Sequence, residues 1–147
     1  MTTVETERSP GGLRLAENDA MFVEEVIGRV YVVHVHHHLS KQLMAEALGI
    51  IWASPRWKQP WGLVIHMEEA ATYDGDVRQH EMPPNHKRAV GTAVVTRKQL
   101  HRAIIQAAGL GYRMVSSFFL SAHDTVEQGI EAQRGYVQRA ERANKKY

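Results

Sequence analysis

Apolar residues gather in three runs, Val30 to Val35, Trp61 to Met67 and Val90 to Thr96, each leading into a segment with helix-like or turn-rich spacing. Short apolar runs of this length predict buried strands, and helical segments between them predict right-handed βαβ units with parallel strands. Ahead of these, Leu13 to Gly28 predicts two short antiparallel strands around the Glu17-Asn18-Asp19 turn, with Gly28-Arg29 turning the chain into the third. Along that third strand Tyr31, Val33 and Val35 alternate with Val32, His34 and His36. One face is therefore wholly apolar and the other becomes polar toward its end.

Ser40 is placed to cap a helix in which Leu43, Met44, Ala47, Leu48, Ile51 and Trp52 recur at three- and four-residue spacing before Pro55 stops it. A second helix is predicted with Thr96 as its N-cap, Leu100, Ala103, Ile104, Ala107 and Ala108 as its buried stripe, and Gly109 or Gly111 as its end. Tyr112 to Leu120 then reads as the last strand. Ser121 and Asp124 read as a capping box, and Val126, Ile130, Gln133 and Val137 as the stripe of a long final helix. A short helix near Asp76 to Met82, ended by Pro83-Pro84, is expected in the remaining connection. The predicted class is a single α/β domain over residues 13–147, a mixed sheet of about five strands with helices chiefly on one face, behind a flexible tail of residues 1–12.

A chain of 147 residues with 44% hydrophobic content can bury one core without metal or disulfide staples. The absence of cysteine excludes disulfides, thiolate metal sites and cysteine catalysis. A net charge of +2 gives no reason to expect nucleic acid, and the basic residues from Arg134 to Lys146 alternate with Glu131 and Glu141 as on a solvated helix end. No run of 18 apolar residues and no signal-like leader occurs, so neither a membrane span nor export is expected, and a cytoplasmic location is. No nucleophile elbow, phosphate-binding loop or zinc-protease helix is present. The expectation is a non-enzymatic protein without a cofactor.

Histidine is the chemistry this sequence does concentrate. His34-Val35-His36-His37-His38 ends the third strand, and if its parallel neighbour is Trp61 to Met67, then His66 and Glu68 come alongside. His34, His36 and His66 then form a candidate metal site suited to zinc, nickel or copper, against the simpler reading of solvent-facing imidazoles at a strand end. Such a cluster also titrates near neutrality. Trp57 and Trp61, with Trp52, flank the proline-containing connection and are candidates for lining a ligand pocket, or for closing the core edge. His80, Glu81, His86 and His101 have no orienting hydroxyl or carboxylate at a useful spacing.

The order of elements, with the stretches from Val26 to Val33, Trp61 to Met67, Ala93 to Thr96 and Phe118 to Ile130, resembles the SpoIIAA-like branch of the STAS superfamily, which is related in fold to the SEC14 lipid-binding domain. The resemblance covers roughly Leu13 to Tyr136. It implies a regulatory module that acts through a protein partner or a second copy of itself, and by the SEC14 analogy a carrier of apolar ligands. The family's switch is a serine in an Asp-Ser-Ser-Gly stretch; the comparable stretch here is Ala71-Thr72-Tyr73-Asp74-Gly75-Asp76, so the serine is missing. Thr72, Tyr73, Asp74 and Gly75 become the expected partner-binding or switch loop, with Thr72 the nearest modifiable hydroxyl. His66 also stands where relatives carry an acidic residue.

Overall fold

The computed structural model describes residues 12–68, 71–73, 89–115 and 119–145, with side chains for all of these except 108–115, 119, 144 and 145. The chain forms a six-stranded mixed sheet and three helices, an α/β domain as predicted but with one strand more than expected. Strands β1 (Leu13–Glu17), β2 (Met21–Val26) and β3 (Val30–Val35) are antiparallel neighbours. Asn18 Oδ1 accepts from the backbone N–H groups of Ala20 and Met21 at the first turn. The second turn places Gly28 and Arg29 at φ +99° and +62°, left-handed conformations that a glycine adopts without steric cost. β5 (Gly62–Met67), β7 (Gly91–Val95) and β8 (Phe119–His123) then extend the sheet in parallel with β3, giving the order β1-β2-β3-β5-β7-β8.

Helices cover both faces of the sheet, where helices chiefly on one face were expected. Met21, Val23, Tyr31, Val33, Val35, Leu63 and Ile65 pack against Leu43, Met44, Ala47, Leu48 and Ile51 of α1 (Lys41–Trp52). Ser40 caps that helix as predicted, its Oγ accepting from Leu43 N at 3.0 Å. The alternate residues Val26, Val30, Val32, Val64, Ala93 and Val95 face Ile130 and Val126 of α3 (Val126–Lys145). Gly129 lets that helix lie close, since a Cβ there would meet Val95 at 3.0 Å and Val64 at 3.2 Å.

Several local expectations are corrected. α2 (Gln99–Val115) runs through Gly109 and Gly111 without ending at either, so the last strand begins at Phe119 instead of Tyr112; an interior glycine costs only about 1 kcal/mol in a helix. Its supposed buried stripe is outward on the described turns, with Leu100 71% and Ile104 46% exposed and Ala103 and Ala107 also exposed. Periodicity reports that one stripe of a helix is apolar, not that the sheet reaches it. Thr96 Oγ1 accepts from Lys98 N before the helix starts. At α3 the cap is Thr125, whose Oγ1 accepts from Gln128 N while Gln128 Oε1 accepts from Asp124 N; Ser121 lies within β8 and turns to His123. A small parallel pair, β4 (His38–Leu39) with β6 (Thr72–Tyr73), was not foreseen. The helix expected near Asp76 to Met82 lies outside the described residues.

Candidate functional site

Parallel pairing of β3 with β5 sets Val32 beside Val64 and His34 beside His66, and β5 with β7 and β7 with β8 continue that row to Val95 and His123. The row lies at the carboxyl ends of the parallel strands, on the face that α3 covers farther down. In open α/β sheets this is where ligands bind. On the other side of β3, antiparallel β2 brings Phe22 beside His34, stacked on the imidazole with centroids 5.2 Å apart, and Glu24 one pleat below it.

The result is a chain of three polar groups leading out of the interior. Glu24 is fully buried and its Oε1 lies 3.0 Å from Nε2 of His34, itself 2% exposed. His34 Nδ1 lies 2.9 Å from Nδ1 of His66, which is only partly buried. The two imidazoles are nearly perpendicular with centroids 5.1 Å apart. Adding about 1.1 Å from each nitrogen to its ring centre gives about 5.1 Å for two nitrogens aimed straight at each other, the linear geometry of a hydrogen bond. A metal about 2.0–2.1 Å from both nitrogens would fold the rings together and bring the centroids to about 4.5 Å. The contact is therefore a His–His hydrogen bond.

Burial pushes the His66 imidazole down to about 4, with the neighbouring His34, Arg97 and His36 acting in the same direction and Glu68 opposing them. The ring is neutral at physiological pH. His36 stands at the rim with Nδ1 2.8 Å from Glu68 Oε2, and farther along His38 Nδ1 lies 2.6 Å from Thr72 Oγ1. His123 is lowered by burial, and its Nε2 meets Ser121 Oγ at 2.8 Å. Arg97 follows β7 directly, is exposed, and forms no ion pair among the described residues.

Of the three residues expected to share a metal, the structure joins His34 and His66 directly and turns His36 to Glu68. Among the described residues no group of three histidine or carboxylate side chains is arranged to hold a metal ion. Because both nitrogens of His34 are engaged within the protein, the three-histidine site is not assembled. Trp61 is 1% exposed and packs edge-on against Tyr31 and Trp57, so it serves the core; Trp57 is partly buried beside it, its Nε1 without a partner among the described residues. Thr72 and Tyr73 are exposed, and Tyr73 stacks edge-on with His101 at 5.8 Å. Asp74 and Gly75 of the expected switch loop lie outside the described residues.

Sequence reading missed Glu24. Its signal was an acidic residue inside the apolar run Met21–Val26, in a hairpin whose register sets it across from Val32, diagonal to His34. The neighbouring Glu25 faces the other way. Burial pushes its carboxyl up, but hydrogen bonds from Ser54, Tyr31 and Arg56 outweigh this and hold it below the ordinary range. That burial, with the adjacent carboxylate, raises the Tyr31 phenol. Comparison with protein-family models, with curated proteins and with solved structures found no match to this chain.

Proposed function

We propose that the protein is a binding module that takes up a small protic, acidic molecule at the carboxyl ends of β3, β5 and β7. The observation that carries this reading is the buried Glu24–His34–His66 chain, which ends in a neutral imidazole at a sheet mouth. Burying a carboxylate and an imidazole costs free energy that a merely structural core avoids by using apolar side chains. Nε2 of His66 would accept a hydrogen bond from the ligand, and the exposed Arg97 guanidinium would attract its negative charge. No helix among the described residues is long and apolar enough to cross a membrane.

An NMR titration with lactate, glycolate and mandelate tests this. A saturable shift of the His66 ring resonance below about 10 mM ligand, lost in Arg97→Ala, supports the reading; no shift at His66 with any of the three refutes it.

A second reading, the STAS-like regulatory module docking a protein partner or a second copy, draws on a different observation. Leu100 and Ile104 stand exposed one turn apart on α2, beside the Tyr73–His101 contact. Exposed apolar pairs of this kind mark interaction surfaces when they are contiguous. Light scattering of the wild type and of Leu100→Ser/Ile104→Ser separates the cases: a dimer mass that becomes monomeric in the variant supports a second copy, and an unchanged mass removes it.

A further inference from the structure

Both ring nitrogens of His34 are engaged, Nε2 with Glu24 at 3.0 Å and Nδ1 with His66 at 2.9 Å. With Glu24 as the carboxylate, which only accepts, the proton of the first contact belongs to His34 Nε2. In that tautomer His34 carries a lone pair on Nδ1 and accepts the Nδ1 proton of His66. This order leaves Nε2 of His66 unprotonated, and no other hydrogen bond of that ring exists among the described residues. We infer that His66 is a general base acting on a protic substrate at the strand ends, with His34 and Glu24 as positioning residues that carry the proton inward.

The step balances without a metal or redox partner. In hydrolysis of an ester, Nε2 of His66 takes a proton from water while the water oxygen bonds to the acyl carbon. The Nδ1 proton of His66 passes to His34, and the Nε2 proton of His34 passes to Glu24. The alkoxide leaves with the electron pair of the broken C–O bond and recovers a proton as the relay reverses. Positive charge thus never rests on the desolvated ring of His66, the form that burial disfavours. The charged and titratable groups around that ring are His34, Glu68, Arg97 and His36, with Glu24 behind His34. Phe22 stacked on His34 keeps the ring in the plane the relay requires.

This inference deepens the binding reading of the same mouth, but its test needs no retained ligand. The full chain is assayed with p-nitrophenyl acetate, using free N-acetylhistidine as the standard. Between about pH 7.5 and about pH 5.5 an ordinary imidazole loses roughly tenfold of its unprotonated form, whereas a base already neutral at the lower pH keeps nearly all of it. The wild type is expected to change less than about twofold over that range, with the rate lost in His66→Gln and lowered about tenfold in Glu24→Gln. Amide NMR spectra establish that the variants fold. A wild-type profile that follows N-acetylhistidine overturns the proposal without any variant, and so does a His66→Gln rate equal to wild type. A His66 shift with hydroxy acids but no pH-insensitive hydrolysis would leave the binding reading standing and remove the base.

Discussion

Gln133 of α3 is fully buried, and neither its amide nitrogen nor its amide oxygen has a hydrogen-bond partner among the described residues. It lies over the first residue of β5, so close that a Cβ on Gly62 would fall 2.8 Å from both its Cβ and its Oε1. An unmet buried amide costs about 1–3 kcal/mol, and replacement by an apolar group of the same shape removes that cost. Methionine has the same unbranched length and adapts to an irregular space. Gln133→Met is therefore expected to stabilise the fold by about 1–3 kcal/mol, or roughly 3–9 °C in Tm at about 3 °C per kcal/mol for a chain of this size. Urea unfolding followed by circular dichroism reads this as a rise in midpoint at constant slope. A loss of about 1 kcal/mol or more would refute the reasoning, because it would mean that the amide is satisfied and that its hydrogen bonds outweigh the gain from apolar packing.

Three further outcomes follow from the same contacts. His66 binds a proton at about 4 in the folded chain and near 6.5 when unfolded, so its contribution is complete above pH 6.5 and is lost as pH falls toward 4; discounting for its partial exposure, the loss is about 2 kcal/mol, and urea midpoints at pH values spanning that window should fall more in the wild type than in His66→Gln. Glu24→Leu should destabilise by about 3 kcal/mol by stranding the His34 N–H, and Glu24→Leu/His34→Phe should regain more than half of that; equal losses in the single and double variants would show that the two do not interact. Ser40→Ala should cost about 1 kcal/mol through the lost cap on Leu43 N, with no effect on ester hydrolysis, and an unchanged urea midpoint would count against the cap.

Much of the scaffold was legible because its strands are apolar on both faces and its first helix carries a sharp stripe and a serine cap. The pairing that brings His66 beside His34 follows from the connection rule and from the equal offset of both residues within their runs. What spacing does not encode is depth. The α2 stripe has the same periodicity as that of α1, yet Leu100 and Ile104 reach solvent while Leu43 and Leu48 reach the sheet. Likewise the sequence holds two cap patterns four residues apart, Ser121 to Asp124 and Thr125 to Gln128, and only the end of β8 decides between them. The histidine site was legible only in part for a related reason: proximity of imidazoles follows from strand register, but His34 also meets Glu24, which belongs to another strand.

β2 offers an internal comparison that separates structure from chemistry. Glu24 and Glu25 are consecutive buried carboxylates, and the pleat sends them to opposite faces. Glu25 meets donors from Tyr31, Ser54 and Arg56, two of them from the segment after α1. Those bonds tie that segment to the sheet and end there, since each donor's polarity is fixed and no proton needs to move. Glu24 instead faces an imidazole, the one side chain that accepts on one nitrogen while donating from the other, and the second nitrogen reaches another imidazole closer to solvent. A carboxylate needed only to hold β3 in place would be satisfied by hydroxyl or guanidinium donors, as Glu25 is. Two histidines in series, leading toward the carboxyl ends of the strands, set this half of β2 apart from Glu25 and are the feature on which the proposed binding site rests.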